Sequence, residues 1–360
     1  MSARVVVAGA GVFGSAVALA LARAGAQVRL VDPSAVGDNA SGAAAGMLAP
    51  AFEALLDPET AARFALLKEA RDLWPDFLGE QGAAAADLRR SGALWLALPG
   101  DPPELIEARR AGFEALGAQV QPWTAAEVAT RAPGVDGAVT GGLFTPEDWR
   151  LAPMRALPAL QAAAEAAGAV RLRASVLAFE AGRVRLSDGQ TLDADRLVVA
   201  TGADPAGLAP ELEQLSPIKG HILRYAASTL AAKGPTLRCR LGYAAGGADG
   251  LSVGATMEVG LADRVVDPAV VERLRALALA VSPALTAAPF TPLAAVRAAS
   301  PDGLPLVGPS ARPGVLVAAG ARRNGWLLAP LVAQLTAAYL AVGELGPHAA
   351  LLDARRFAAP

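Results

Sequence analysis

Cysteine and histidine are nearly absent from this chain of 360 residues, which carries one cysteine, Cys239, and two histidines, His221 and His348. A single cysteine excludes an internal disulfide and a cysteine-rich zinc centre. Two histidines are too few for a His-rich metal site, so the sequence predicts no metal centre. A Ser/His/Asp triad would need one of them, and neither lies in a motif that indicates such a triad.

The chain also lacks an excess of charge of either sign and long apolar runs. Lys and Arg number 32 against 34 Asp and Glu, and the arginines are scattered, so no basic face for nucleic acid is predicted. Alanine inflates the hydrophobic content of 53%, and the apolar stretches 17–21 and 326–340 are too short or too interrupted to span a bilayer. The first residues enter an apolar strand without a signal-like leader, so we expect a cytoplasmic protein.

The most informative stretch is 5–32, VVVAGAGVFGSAVALALARAGAQVRLVD. An apolar run ends at Gly9, Gly11 and Gly14, spaced as GxGxxG, and a small-residue helix and a second apolar run closing on Asp32 follow. In such a unit the glycines allow a tight turn, approach of a pyrophosphate and close helix packing, while the acid accepts from ribose hydroxyls. The motif predicts a dinucleotide site without separating NAD from FAD. The alternative is a glycine-rich turn in another βαβ unit.

Hydrophobic periodicity predicts the elements along the rest of the chain. A second buried strand, 196–200, ends in Thr201-Gly202, and a third, 315–318, leads into the loop 320–325, so both return the chain to a nucleotide-type junction. Residues 217–296 are typical of a mostly antiparallel sheet with one helix. We predict helices over 61–78, 104–116, 125–132, 153–167, 268–280 and 326–342, and further strands over 94–98, 170–173, 176–180, 182–186 and 191–192.

Six further segments, spread in order over nearly the whole chain, carry a family resemblance. They are SGAAAGMLAP (41–50), VVATGAD (198–204), PIKGHIL (217–223), GATME (254–258), VRAASPDGLPLVG (296–308) and RNGWLLAP (323–330). Together with GAGVFG and Asp32, they make the chain resemble the FAD-dependent amine and D-amino-acid oxidases, most closely the glycine oxidases of thiamine biosynthesis.

The resemblance implies an α/β fold in which a Rossmann-like FAD-binding domain is interleaved with a mostly antiparallel β-sheet substrate domain with helices. Residues 1–86, 140–212 and 298–360 are expected to form the FAD-binding domain, and residues 87–139 and 213–297 the substrate-binding domain. Non-covalent FAD is expected, because Cys239 lies in LRCRLGY, unlike the flavin-linked cysteine of the sarcosine oxidase branch. The residues expected to bind FAD are Gly9, Gly11, Val12, Phe13, Gly14, Asp32, Ser41, Ala45, Gly46, Met47, Val176, Thr201, Gly202, Arg297, Arg323, Asn324, Gly325, Trp326 and Leu327.

For the substrate, the resemblance implies above all an arginine side chain that binds its carboxylate. Arginine binds a carboxylate through two parallel hydrogen bonds, and Arg297 occupies the family's arginine position; the alternative is a surface arginine in an ion pair. Arg323 either touches substrate or flavin or braces its loop. Tyr243 caps the carboxylate or is a buried phenol. Met47 and Met257 match family methionines, although core filling explains them equally well.

Two departures from the family pattern bear on the substrate. Ala321-Arg322 stands where glycine oxidases tend to carry a His-aromatic pair, and Ala244-Ala245-Gly246-Gly247 follows Tyr243 where a Pro-Arg pair is usual. Both are expected near the pocket, and they question glycine itself as the substrate.

The resemblance implies oxidative deamination of glycine, sarcosine or a small D-amino acid, with a hydride leaving Cα for flavin N5 and oxygen or another acceptor taking the electrons. Within the same chemistry, a D-amino-acid dehydrogenase with a non-oxygen acceptor is the second hypothesis. A flavin-binding protein with a lost active site is a third, and GxGxxG alone would also fit a nicotinamide-dependent dehydrogenase. The sequence does not indicate the oligomeric state, and a homo-oligomer is one alternative because related enzymes often assemble.

Overall fold

The computed structural model describes residues 2–55, 60–136, 138–204, 207–226 and 234–357. Here the chain forms a six-stranded sheet, a nine-stranded sheet, two small sheets and the helices packed against them. The helices are α1 (Val12–Arg23), α2 (Ala40–Ala43), α3 (Pro50–Ala54), α4 (Thr60–Asp72), α5 (Trp74–Ala85), α6 (Pro103–Ala115), α7 (Ala125–Arg131), α8 (Pro153–Ala166), α9 (Pro268–Val281), α10 (Gly325–Val342) and α11 (Ala349–Leu352). The strands are β1 (Arg4–Ala8), β2 (Gln27–Val31), β3 (Met47–Leu48), β4 (Ala93–Ala97), β5 (Gln121–Thr124), β6 (Gly141–Thr145), β7 (Trp149–Arg150), β8 (Val170–Leu172), β9 (Val176–Glu180), β10 (Arg183–Leu186), β11 (Thr191–Asp193), β12 (Arg196–Val199), β13 (Ser216–Tyr225), β14 (Thr236–Cys239), β15 (Gly242–Gly247), β16 (Gly250–Gly254), β17 (Glu258–Val259), β18 (Phe290–Ala299), β19 (Leu306–Pro309) and β20 (Val315–Ala319).

The six-stranded sheet has the order β19-β20-β12-β1-β2-β8, and only β19 runs antiparallel to its neighbour. Strands β1, β12 and β20 are short, apolar and almost fully buried, as expected for parallel strands covered on both faces. Because they are parallel neighbours, their carboxyl ends lie at one edge, where Gly9, Gly202 and Gly320 follow. The nucleotide-type junctions predicted near these glycines are therefore brought together.

Two glycines allow close backbone contacts around the end of strand β1. A Cβ atom on Gly14 would lie 1.8 Å from the carbonyl oxygen of Gly9, and one on Gly9 would lie 2.4 Å from the carbonyl oxygen of Ala200. Gly9 also has a φ of +99°, a conformation that costs other residues energy. The backbone of the protein itself therefore restricts both positions to glycine.

The nine-stranded sheet combines β4–β6 with β13–β18 and confirms the antiparallel region predicted over 217–296. Strand β13 pairs along its whole length with β18, and helix α9 packs against it. Strand β6 pairs with both β4 and β5 in this sheet. The predicted domain boundary at residue 140 is therefore wrong for this strand, because the backbone hydrogen bonds of 141–145 belong to the larger sheet. The rest of the domain division stays a prediction.

The predicted elements agree closely with the observed ones, with one exception. The helices expected over 104–116, 125–132, 153–167, 268–280 and 326–342, and the seven strands named individually, are confirmed to within one residue at each end. The single helix predicted over 61–78 is wrong, since the chain forms α4 and α5 there. Pro75 lies in the first turn of α5, where its missing N–H is harmless, whereas inside a continuous helix it would break the hydrogen-bond ladder.

Helix α10 is the one helix in the described residues that is long and apolar enough, by length and composition, to cross a membrane. It packs along α1 and α4 inside the fold, and 56% of its residues are buried. It also contains Pro330, which has no N–H to donate to the carbonyl of Trp326 one turn earlier. The indole Nε1 of the fully buried Trp74 donates to that carbonyl instead, at 3.0 Å.

Trp74→Phe is expected to lower the free energy of unfolding by about 1–3 kcal/mol, because the Trp326 carbonyl is left buried without its donor. In a Pro330→Ala background the new amide N–H at position 330 donates to that carbonyl, so the same substitution should cost clearly less. Urea unfolding of the four proteins measures the coupling between the two positions. An equal cost in both backgrounds would contradict the role given to the indole.

Candidate functional site

A cavity of about 440 Å³ lies at the carboxyl edge of the six-stranded sheet and extends to β13 and β18 of the larger sheet. One side follows the loops after β1, β12 and β20, and the other reaches Tyr243 and Arg297. Most of the predicted site residues line it, namely Gly9, Gly11, Val12, Phe13, Asp32, Ser41, Val176, Thr201, Gly202, Tyr243, Arg297, Arg323, Gly325 and Trp326. The fold thus collects residues from both ends of the chain around one space.

Six predicted cofactor residues do not line this cavity: Gly14, Ala45, Gly46, Met47, Asn324 and Leu327. Gly46 packs so closely that a Cβ there would lie 2.2 Å from the carbonyl oxygen of Leu151. Met47 lies in β3 with its sulfur 3.5 Å from Nη2 of Arg238, and Leu327 is buried in the core. Any contact of these six residues with a cofactor stays a prediction.

Two helix N-termini, those of α1 and α10, reach the cavity. A Cβ atom on Gly11 would meet only the Oγ of Ser41, at 3.2 Å, and one on Gly202 would have no heavy atom within 4 Å. The space beside Gly202 is open, and Gly11 faces only a serine hydroxyl, which accepts from the N–H of Val12 at 2.9 Å, whereas Gly14 meets backbone. Unpaired N–H groups and the helix dipole favour an anionic group beside such backbone. This cradle fits the pyrophosphate of a dinucleotide.

Asp32 follows β2 with its carboxylate held in a fixed orientation. Its Oδ2 accepts from the N–H of Ala10 at 2.6 Å, and its Oδ1 accepts from the N–H of Ser34 at 2.8 Å. Each oxygen keeps a further lone pair for a hydroxyl donor. Val176 borders the same cavity. The residues present at this end therefore fit the adenosine part of FAD.

Arg297 brings a positive charge to the opposite end of the cavity. Its Nη1 donates to the carbonyl oxygen of Thr256 and to the sulfur of Met257, both at 3.1 Å. Among the described residues, no carboxylate forms an ion pair with this guanidinium at 4.0 Å or less. Burial lowers the pKa of Arg297 from its usual value. The guanidinium is thus oriented by neutral groups, and its charge is left for a ligand.

Two neighbours shape the space around Arg297. A Cβ atom on Gly220 would lie 2.3 Å from Nη2 of Arg297, so the absence of a side chain there makes room for the guanidinium. Tyr243 lies on β15, and burial raises the pKa of its phenol although Arg297 opposes the shift. The phenol is therefore a neutral hydrogen-bonding group at neutral pH.

Glu53, a buried residue of α3, joins two arginines beside the cavity. Its carboxylate accepts from Nη2 of Arg238 at 3.0 Å and from Nε of Arg323, and Nη2 of Arg323 also reaches the Glu53 carbonyl at 3.3 Å. Burial acts to raise the pKa of Glu53, but the two guanidinium groups outweigh it and hold the pKa below its usual value. This geometry favours the second of the two roles predicted for Arg323, in which it braces its loop.

Asp148 in turn holds the helix that carries Glu53. Its carboxyl oxygens accept from the N–H groups of Ala51 and Phe52 at 2.9 and 3.4 Å, at the start of α3. Burial raises the pKa of Asp148 to about 7, although Arg238 opposes the shift. Glu53, Arg238 and Asp148 were not predicted from the sequence. The only sequence signal was an acid inside the apolar run AFEALL, directly after the flavin-side segment.

The two departures from the family pattern differ in their placement. Ala321 and Arg322 line the cavity, as expected. Residues 244–247 lie in β15 directly after Tyr243, which lines the cavity, but do not line it themselves, so their effect on the pocket stays a prediction. Cys239 is buried in β14 away from the cavity, which agrees with a flavin that is not bound through it.

A family model described as "DAO: FAD dependent oxidoreductase" matches residues 4–339 of the chain. Two curated relatives share 33% identity with it. One is the bifunctional tRNA 5-methylaminomethyl-2-thiouridine biosynthesis protein MnmC of Chromohalobacter salexigens, over 85% of this chain. The chain spans 45% of that protein's length. The other is the putative thiamine biosynthesis oxidoreductase ThiO of Rhizobium etli, over 92% of this chain and 94% of that protein.

Solved structures agree with this family assignment. The crystal structure of glycine oxidase from Geobacillus kaustophilus superposes with a TM-score of 0.86 and 27% identity, covering 99% of this chain and 100% of that one. Iminodiacetate oxidase (IdaA) from Chelativorans sp. BNC1 gives a TM-score of 0.81 and 26% identity, covering 95% and 96% of the two chains. The expected α/β fold and its FAD-type sheet are therefore confirmed.

The contrast between Gly11 and Gly14 gives a paired prediction. Gly11→Val should lose FAD, because its side chain enters the space left for the pyrophosphate, and should lose less thermal stability than Gly14→Val, because only the Ser41 hydroxyl has to move. Gly14→Val should lose thermal stability itself, because its side chain overlaps the backbone at Gly9. Flavin absorbance per protein and the melting temperature of each apoprotein separate the two effects. Full flavin occupancy in Gly11→Val would show that the cofactor lies elsewhere.

Proposed function

The chain belongs to the DAO family of FAD-dependent oxidoreductases, and we propose that it oxidises the C–N bond of a small amine carrying a carboxylate on the same carbon. The observation that carries this proposal is Arg297, whose guanidinium faces the FAD-type cavity with neutral hydrogen-bond partners only among the described residues. A guanidinium that has no ion-pair partner can bind a carboxylate through two parallel hydrogen bonds.

The cofactor is FAD, and when bound it supplies a two-electron oxidant for a C–N bond. The residues that would hold it are the glycine loop with Gly11, the carboxylate of Asp32, the turn at Thr201-Gly202 and the start of α10 at Gly325. The N-terminus of α10 favours negative charge nearby.

Substrate orientation falls to the residues at the other end of the cavity. Arg297 binds the carboxylate through its fork, and the neutral phenol of Tyr243 donates a further hydrogen bond to it. Arg323 keeps its loop in place through Glu53. The chain needs no side-chain base for this chemistry, because the substrate ammonium loses its proton to solvent on binding. The imine product hydrolyses in water to a 2-oxo acid and ammonia or an amine.

The names of two structural neighbours support the same substrate class. Glycine and iminodiacetate both contain a nitrogen bonded to a methylene that bears a carboxylate. We propose a glycine or N-substituted glycine as the substrate, with a role in thiamine biosynthesis as in the relative named ThiO. The alternatives are a small D-amino acid as the substrate and an electron acceptor other than oxygen, and kinetic and absorbance measurements distinguish them from this proposal. The cytoplasmic location and a homo-oligomeric assembly stay predictions.

Arg297→Ala is expected to raise the Michaelis constant at least roughly 30-fold, since removing one partner of a buried charge pair costs about 2–5 kcal/mol. Arg297→Lys should recover part of this loss, because it keeps the charge but not the fork. Flavin content should be unchanged in both variants. Steady-state kinetics and absorbance spectra measure these quantities, and wild-type kinetics for Arg297→Ala would rule out the clamp.

An anaerobic absorbance titration of the purified protein tests the reaction itself. Glycine, sarcosine, iminodiacetate, D-alanine and D-proline are added in turn, and we expect one of the N-carboxymethyl compounds to bleach the flavin band. Readmitted air recolours an oxidase within its turnover time and a dehydrogenase far more slowly. Bleaching by D-alanine or D-proline alone would contradict the proposed class, and no bleaching by any amine would favour a lost active site.

A further inference from the structure

We propose that His221 is a positioning residue for carboxylate recognition, which acts on Arg297 from behind the sheet through the segment Thr256–Glu258. His221 is 1% exposed and does not line the cavity. The inference rests on the proposed role of Arg297 as the clamp, and it adds a buried histidine that neither the motifs nor the cavity would single out.

The position of His221 in β13 places it on the opposite face of the sheet from Arg297. Side chains alternate along a strand, and Gly220, the neighbour of His221, lies against the guanidinium of Arg297. Ile222, on the other side of His221, also lines the cavity. The imidazole therefore projects away from the substrate and has to act through another group.

The hydrogen bonds of His221 define its tautomer. The backbone N–H of Asp267 donates to its Nε2 at 3.0 Å, so this nitrogen carries no proton. Its Nδ1 lies 2.8 Å from Oε1 of Glu258 and therefore donates to that carboxylate. A neutral imidazole with both nitrogens satisfied links the residue that precedes α9 to the segment 256–258.

Thr256 shares the same carboxylate and connects it to the backbone. Its Oγ1 donates to Oε1 of Glu258 at 2.5 Å and accepts from the N–H of His221 at 2.9 Å. Burial acts to raise the pKa of Glu258, but the hydrogen bonds from Thr256 and His221 outweigh it and hold the pKa below its usual value. The Glu258 carboxylate is thus charged and accepts from both residues.

This network ends on Arg297. The carbonyl of Thr256 and the sulfur of Met257 are the two acceptors that Nη1 of Arg297 contacts. Both groups belong to the segment whose conformation is set by Glu258 and His221. A guanidinium with two acceptors in fixed places presents its remaining donors in a fixed direction, which is what bidentate recognition of a carboxylate needs.

Backbone contacts to β13 also hold the segment: the N–H of Thr256 donates to the His221 carbonyl at 3.4 Å, and the N–H of Gly260 donates to the Pro217 carbonyl at 2.8 Å. Strand β17 pairs with β13 through only two residues, at Ile218 and Lys219. Beyond it, Val259 and Val265 are 71% and 70% exposed, so packing adds little. The ion pair of Lys219 with Asp263, at 2.5 Å, holds the far side of the loop but does not contact Thr256 or Met257. The side-chain hydrogen bonds of His221 and Thr256 to Glu258 add to these backbone contacts and restrain the segment that carries both acceptors of Arg297.

The test uses the holoenzyme and two ligands, sarcosine as substrate and acetate as a carboxylate that carries no amine. His221→Leu and Thr256→Val should each weaken acetate binding, measured by calorimetry, and raise the Michaelis constant for sarcosine by roughly tenfold. The turnover number at saturation should change less than twofold. Thr256→Ser keeps the hydroxyl and should restore most of the affinity. Val265→Ala, in the same loop but exposed, is the matched control and should bind acetate like the wild type.

Arg297→Ala separates failure of this inference from failure of the proposed function. If Arg297→Ala loses acetate affinity while His221→Leu and Thr256→Val retain it, the positioning role is wrong and the clamp stands. If Arg297→Ala binds acetate normally, the clamp itself is wrong. Should His221→Leu fail to fold, the Thr256→Val and Thr256→Ser pair still decides, since equal affinities for the two would overturn the inference. Adding His221→Leu to Arg297→Ala should bring no further loss.

Discussion

The contact between helix α1 and strand β1 is the constraint on which the rest of the site depends. The helix can lie this close only because Gly14 carries no side chain where it meets the carbonyl of Gly9. This contact fixes where the first N–H groups of α1 meet the cavity. Helix α10 packs along α1, and its first residue, Gly325, lies beside Val12. One close backbone contact therefore sets the direction of two helix N-termini, which form the end of the site that favours an anionic group.

The other end of the site depends on how its arginines are paired. Glu53 forms ion pairs with both Arg238 and Arg323 inside the protein, where a charge without a partner would be costly. Arg297 instead contacts a carbonyl and a sulfur, which orient it without cancelling its charge. The same residue type thus has two functions within one pocket. The difference lies entirely in whether the nearest acceptor is a carboxylate or a neutral group.

Local patterns in the sequence predicted most helices and strands and the nucleotide-type junctions, and the family resemblance supplied the interleaved fold and FAD. The glycine spacing, the acid at position 32 and the apolar strands are each readable within a short window. The charge network could not be predicted, since Glu53 and Arg238 are far apart in sequence and meet only after two sheets have packed. His221 was noted as one of two histidines, but its contact with Glu258 follows from the edge pairing of β17, which no periodicity indicates.

The link between Trp74 and helix α10 has a consequence for how this family branch changes over time. A proline at position 330 is tolerated only while an indole from another helix serves the carbonyl one turn earlier. Loss of Pro330 first is therefore a mild step, whereas loss of Trp74 first removes a donor that nothing replaces. We therefore expect substitution of Pro330 to precede substitution of Trp74 in evolution. Homologues should include lineages with the tryptophan and no proline, and rarely the reverse.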